Sequence, residues 1–508
     1  MDNLELEKLN IATKVKLGEV QTKDVIRIRD VENLKITKVL TVSAKAIVDK
    51  ISVQNAEVKF DGFVCYDLLV VLENDNIVPI SQKNDFSQIF ENASINPETI
   101  VNVCAELLEL NNVSGEGEIV YSSIINFNIY AINQNSDVCC AKIPEDIFIK
   151  ESEICFDSFA KNIVYDSAVS FEIAKDNKVN KILFITNSAS IKSVIPANDY
   201  FVVSGEVYIY VVFQSEDGLI KGINKEISFS EEIECAGVTK ESIIQAQIKT
   251  KETVVTESSE KNIFNFDTQI QVLAQIYNKN IVKCVVDAYS LEREVNLTTT
   301  SFEENNFVST RQIEENILTN FAVSEDIPFV DRILSVIPVN ISIVNQIVKK
   351  GELILEGISI LNLIYYFEDE EGNNILNSLD IEVPYSLNIS VSDLEENDRV
   401  VSQIVLGDIN VKNKRGKDLE ILAEAKINYD IIKNNISAIT TQVVLGEEKS
   451  QKDYNLEIYQ AKENQSLWDI AKELNISTAD LISQNGELTL PLKSGEKIIS
   501  YKQRKVDF

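Results

Sequence analysis

Most of this chain is written on a repeating plan, and that plan limits its folds more than any other feature. Residues set side by side at a fixed offset of 143 pair Lys35 with Lys178, Lys38 with Lys181, Leu40 with Leu183 and Gly62 with Gly205. The same offset pairs Phe86 with Phe229, Glu91 with Glu234, Ala93 with Ala236, Glu98 with Glu241, Ile100 with Ile243 and Glu109 with Glu252. A third, more divergent copy is anchored by Gly357, 152 residues beyond Gly205. One supersecondary unit is therefore expected three times.

The central segment of each copy shows the period of that unit. Phe60, Gly62, Val64, Tyr66, Leu68 and Val70 fall on one face of a strand; Val203, Gly205, Val207, Ile209, Val211 and Phe213 do so in the second copy. In the third the face is Leu355, Gly357, Ser359, Leu361, Leu363 and Tyr365, while Asp61, Ser204 and Glu356 precede each glycine on the opposite side. Period-two alternation of this kind is a strand signal. The glycine marks a bulge or a close backbone approach. Further alternating runs cover Ile182–Ile195, Ile243–Val255 and Ile263–Ile276, and Asp217-Gly218, Glu371-Gly372, Arg415-Gly416 and Gly115-Glu116-Gly117 supply turns. With seven or eight strands expected in each copy, the fold class is mainly β: three tandem antiparallel β-sandwich-like repeats. The repeats are expected over 1–140, 150–288 and 293–446, followed by a small domain over 455–503. Joints are expected at Asn133–Lys150, Asn278–Glu294 and Gly446–Tyr454.

That last segment has a different rhythm. Ser466 with Asp469, and Ser477 with Asp480, are S-x-x-D pairs standing before apolar runs, so each caps a helix. Leu467, Ile470, Ala471 and Leu474 recur at helical spacing, Leu481 and Ile482 give a second short apolar face, and Asn485-Gly486 provides a left-handed stop. Strands at Leu456–Gln460 and Lys497–Tyr501 complete a β-α-α-β unit.

Composition excludes several chemistries. The 508 residues contain no histidine, which removes Ser-His-Asp and Cys-His catalysis and the usual zinc and non-haem iron ligand sets. Cys65, Cys104, Cys139, Cys140, Cys155, Cys235 and Cys284 include no C-x-x-C pair, and none recurs between copies, so a repeated metal or redox site is excluded. They read as small buried residues of a reducing compartment. A net charge of −32, spread along the chain, disfavours nucleic acid and anionic membranes and suits a basic partner. The opening MDNLELEKLN lacks the features of a secretory signal, and no apolar stretch approaches the roughly 18 residues of a membrane span, so a cytosolic protein is expected. Phosphate loops, dinucleotide fingerprints, nucleophile elbows and EF-hands are absent from the sequence. No enzyme, no cofactor and no metal are expected. The acidic runs at Glu368–Glu371, Glu395-Glu396 and Glu447-Glu448 read as solvated loops.

The strand, two capped helices, Asn-containing loop and closing L-x-x-G-x-x-I resemble a LysM module. LysM modules that hold N-acetylglucosamine polymers open their first helix with Gly-Asp-Thr, whereas this chain has Asn464-Gln465-Ser466, a departure that points from sugar toward protein. Partner-binding residues are expected at Trp468, Asp469, Leu456, Ile458 and Asn485, with Trp468 as a half-exposed anchor. Three acidic β-repeats followed by such a module, with Val330-Asp331-Arg332-Ile333-Leu334-Ser335-Val336 ahead of the Gly357 strand, resemble the SipL-type spore morphogenetic proteins of clostridia. The resemblance implies a scaffold of the mother-cell cytosol. That scaffold would join other coat proteins to a SpoIVA-type basement-layer ATPase at the forespore surface, with its repeats in a rod or curved array. A peptidoglycan-binding wall protein and a phage tail or baseplate component are the alternatives.

Overall fold

In the computed structural model, residues 5–29, 31, 34–112, 119–142, 147–174, 179–258, 263–414, 417–449, 456–463, 465–486 and 492–501 are described. The turns expected at Gly115-Glu116-Gly117 and Arg415-Gly416 lie outside them. Strands dominate, as the alternating apolar pattern requires. The first unit comprises β1 (Glu5–Ile28), β2 (Ile36–Gln54), β3 (Glu57–Leu72), β4 (Ile77–Glu91), β5 (Ile100–Asn112) and β6 (Ile119–Lys142). Its two antiparallel sheets have the orders β1-β6-β5 and β2-β3-β4. They face each other across a core in which Phe60, Tyr66 and Leu68 meet Ile125, Phe127 and Ile129.

The second unit uses the same order. It comprises β7 (Phe148–Ala174), β8 (Val179–Pro196), β9 (Tyr200–Ser215), β10 (Ile220–Glu234), β11 (Ile243–Ser258) and β12 (Ile263–Tyr289), paired as β7-β12-β11 and β8-β9-β10. In the third unit the first strand is split into β13 (Arg293–Phe307) and β14 (Arg311–Ala322). β15 (Arg332–Lys349), β16 (Glu352–Glu368), β17 (Asn374–Ser390), β18 (Arg399–Asn413) and β19 (Asp418–Glu448) follow. β13, β14 and β18 pair with β19, and β15-β16-β17 forms the facing sheet. Among the described residues the first two units have six strands each where seven or eight were expected, and the third has seven, as expected. Of the expected turns, Asp217-Gly218 and Glu371-Gly372 join β9 to β10 and β16 to β17.

The breaks between units fall within the expected joints at Asn133–Lys150 and Asn278–Glu294 but are shorter than those ranges. β6 runs on to Lys142 and β12 to Tyr289, each paired with the start of β1 or β7, and β13 pairs with the last part of β19. Each unit therefore extends a two-stranded ribbon beyond its sandwich. The three ribbons pack together through Leu9, Ile11 and Cys139, Ile154, Phe156 and Cys284, and Phe302 and Ile439.

At the sandwiches the units meet again, through Leu40 and Leu69, Phe184 and Val212, and Ile337 and Ile364. Every unit touches both others, in a closed group rather than a rod or curved array. Ser43 and Thr186 hydroxyls stand 3.5 Å apart between the first two units, and Asn340 Nδ2 of the third donates to the Leu107 carbonyl of the first at 3.0 Å. Tyr210 of the second unit inserts its ring into the core of the third and donates to the Leu406 carbonyl at 3.2 Å.

The glycine at the centre of each unit has a specific cause. Gly62, Gly205 and Gly357 oppose Val48, Ile191 and Ile343, each immediately before a register shift in the neighbouring strand. A Cβ on Gly205 would stand 2.2 Å from the Ser190 carbonyl and 2.7 Å from the Phe229 ring. The corresponding obstacles are the Ile47 carbonyl and Phe86 for Gly62, and the Ser342 carbonyl and Tyr385 for Gly357. The bulge pushes one backbone over its neighbour, and an aromatic ring from the third strand fills the space that the missing side chain leaves.

Candidate interaction site

The C-terminal segment folds as β20 (Leu456–Gln460), α1 (Leu467–Leu474), α2 (Thr478–Asn485) and β21 (Lys497–Tyr501), with β20 and β21 antiparallel. Neither helix is long enough to cross a membrane. Both are started by their capping residues. Ser466 Oγ accepts from the Asp469 amide at 3.2 Å while the Asp469 carboxylate accepts from the Ser466 amide at 3.0 Å, and Ser477 Oγ accepts from the Asp480 amide at 2.9 Å. Hydrogen bonds from Ser466 hold the Asp469 carboxyl below the usual carboxylate range. Asn475 ends α1 in the left-handed region, and Gly486, also at positive φ, ends α2. Ile470, Ala471, Leu474, Leu481 and Ile498 form the core. Ile482, expected to share it, points to solvent, because an eight-residue helix against a two-stranded sheet buries only one residue per turn on this face.

The module is seated on the second unit's ribbon. Tyr289, at the end of β12, stacks on Phe148 and receives the edge of Trp468, with ring centroids 4.9 Å apart. The Trp468 indole donates to Asp287 Oδ2 at 2.7 Å, and Lys472 Nζ reaches Asp287 Oδ1 at 2.6 Å. Tyr289 donates to the Ile476 carbonyl at 2.8 Å, and Lys449 Nζ to Asn475 Oδ1 at the same distance. Trp468 is thus half-buried against this chain's own ribbon, and its neighbour Asp469 is engaged in capping. The sequence shows the capping directly, but nothing in it pairs Trp468 with a residue some 180 positions away.

Leu456 and Ile458 occupy the other side of the module. They alternate outward along β20, 59% and 62% exposed, and face Tyr501 and Ile499 of β21, 44% and 40% exposed. Four large apolar side chains thus form two cross-strand pairs in solvent. Asn485 closes one edge of this surface: its Nδ2 donates to the Ile499 carbonyl at 2.7 Å and its Oδ1 accepts from the Ile499 amide at 2.6 Å. Gln484 does the same for Tyr501, at 3.0 and 2.8 Å. The two amide side chains imitate a neighbouring strand, so β21 is not open to strand addition. Leu456, Ile458 and Asn485 are brought together, with Trp468 and Asp469 apart from them. Ile499 and Tyr501 were missed, although K-I-I-S-Y places apolar residues on both sides of a strand too short to be covered twice. Asn464, of the expected Asn464-Gln465-Ser466 departure, lies outside the described residues.

Two other features bear on function. A cavity of about 770 Å³ between the first and second units is lined by Ser43, Lys45, Asp67, Lys83, Asn187 and Thr253, among others. Burial lowers Lys45 to about 8, and its ammonium donates to the Asn187 carbonyl at 2.7 Å and to Thr250 Oγ1 at 3.3 Å. Those bonds make it a tie between units. Among the described residues, no three His, Cys, Asp or Glu side chains gather as a metal site.

No known protein family, curated protein or solved structure matches this chain.

Proposed function

We propose that this protein is a non-enzymatic structural adaptor whose C-terminal module docks a protein partner through the outward face of β20 and β21. The observation that carries the proposal is the pair of exposed cross-strand contacts Leu456–Tyr501 and Ile458–Ile499. Burying such side chains contributes about 1 kcal/mol or more each, so four of them support micromolar affinity once ordering costs are met. The module is carried at the end of a ribbon, where a partner can approach without displacing a sandwich. The LysM resemblance and the SipL-type layout supply the rest of the reading. On that reading the partner is a SpoIVA-type coat ATPase, the setting is the forespore surface in the mother-cell cytosol, and the scaffold brings further coat proteins to it.

Titration of the full-length chain against the purified ATPase tests this. Leu456→Asp combined with Ile458→Asp should leave the module folded, since neither side chain joins its core, and weaken binding at least about tenfold. Unchanged affinity would remove this face from the proposal. Retention of the wild type on insoluble peptidoglycan, with no ATPase binding, would favour the wall-binding alternative.

A further inference from the structure

Cys139 lies on β6 and Cys284 on β12, in the ribbons of the first and second units, with their sulfurs 2.7 Å apart. Both are fully buried, at 0% exposure, among Leu9, Ile154, Phe302 and Ile439. The repeat does not bring them together: at its offset, Cys139 corresponds to Val282. Packing of the ribbons does.

We propose that Cys139 and Cys284 are an oxidative cross-linking site that joins the first unit to the second by a disulfide. A disulfide needs sulfurs about 2.0 Å apart, so closing the bond requires movement of less than about 1 Å. The oxidant is a low-molecular-weight disulfide. One cysteine thiolate attacks it, forming a mixed disulfide and releasing one small thiolate, which takes up a proton. The second cysteine thiolate attacks the protein sulfur of that mixed disulfide, the new sulfur–sulfur bond forms, and the second small thiolate leaves and is protonated. Two protein thiols are oxidised and one small disulfide is reduced to two small thiols. Burial holds the Cys139 thiol above its usual value, so the reaction proceeds through opening of the ribbon ends, over hours rather than seconds.

The position of the bond gives it a consequence. Cys284 shares β12 with Asp287 and Tyr289, which seat the C-terminal module. A bond at Cys284 ties the strand that carries the module to a second ribbon, closing a long loop of chain through the first two units.

The full-length protein, incubated with oxidised glutathione and then denatured in the presence of an alkylating agent, should lose two of its seven thiols and migrate faster on a denaturing gel until dithiothreitol is added. Peptide mapping should join Cys139 to Cys284. Cys140→Ala should behave like the wild type, whereas Cys139→Ala and Cys284→Ala should keep all their remaining thiols. The oxidised protein should unfold roughly 3 °C or more above the reduced one. Seven thiols still reactive after oxidant treatment, a linkage mapping to any other pair, or a bond between two chains would each overturn the proposal, and the wild type alone suffices to show it.

Discussion

Single residues carry specific loads at the contacts between units. Lys426, buried on β19, lies 2.6 Å from Glu314, 3.0 Å from Glu424 and 3.8 Å from Glu206 of the second unit. Burial pulls its ammonium down, but hydrogen bonds to Glu314 and Glu424 and the charge of Glu206 more than offset this and hold it above the ordinary lysine value. Lys426→Met should cost about 3 kcal/mol at neutral pH, because it leaves the buried Glu206 with only the exposed Lys192, 3.8 Å away, as counter-ion; a urea midpoint within error of wild type would contradict this. At Gly205 the obstacle is backbone. Gly205→Val should cost about 3 kcal/mol, since the Ser190 carbonyl has no flexible end to move and Phe229 must leave its place over the strand. Gly218, at positive φ in an open turn with nothing near its missing Cβ, provides the control. Its substitution strains one turn and leaves the core intact.

At the scale of elements, the ribbons decide how the module is held. α1 meets β12 through Trp468, Tyr289 and Asp287, an aromatic contact combined with a charge-assisted hydrogen bond. Trp468→Ala should free the module from the ribbon while Ile470, Ala471 and Leu474 keep α1 folded. Limited proteolysis between the body and the module should then accelerate at least about tenfold, with the helical circular dichroism retained. Equal cleavage rates would show that the contact contributes nothing to docking. The split of the third unit's first strand coincides with a contact to the second unit. Thr310, between β13 and β14, turns its hydroxyl to Asp430 at 2.8 Å and accepts from the Ala246 amide of the second unit at 2.9 Å.

At the scale of the whole molecule, the junction between ribbons and sandwiches buries charge. Asp157 of the second unit accepts from the Phe307 amide of the third at 2.6 Å, and Asp430 faces Thr310 and the Lys14 ammonium of the first. Burial raises both carboxyls to about 6 from an ordinary value of 3.8, against the lowering effects of the Phe307 amide at Asp157 and of Lys14 and Thr310 at Asp430. Folded-state values above the unfolded value mean that the folded chain holds these protons more tightly. Their stabilisation is full below about 4 and is lost as pH rises through about 6. Stability should therefore increase as pH falls from 7 to 5, by on the order of 1–2 kcal/mol for each group. Asp430→Asn should remove its share of that dependence, which urea unfolding at both pH values would show. An equal pH dependence in the variant would contradict the burial argument.

The local rules were legible because they depend on near neighbours. Period-two alternation showed the central strands and their buried faces, the fixed offset showed where equivalent glycines lie, and the S-x-x-D pairs showed where both helices begin. What the outward faces meet was not legible in the same way. Leu69, Val212 and Ile364 lie opposite the core faces, and continuous apolar runs such as Leu-Leu-Val-Val-Leu signal burial on both sides. What covers the second side is another unit, and no local pattern specifies which. The same holds for Trp468 on Tyr289 and for Cys139 beside Cys284. Alternation determines which way a side chain points from its own strand, since that is set by backbone geometry over a few residues. The closed grouping of the units and the packing of their ribbons depend on surfaces brought together from more than a hundred residues apart, and those contacts exist only once the chain has folded.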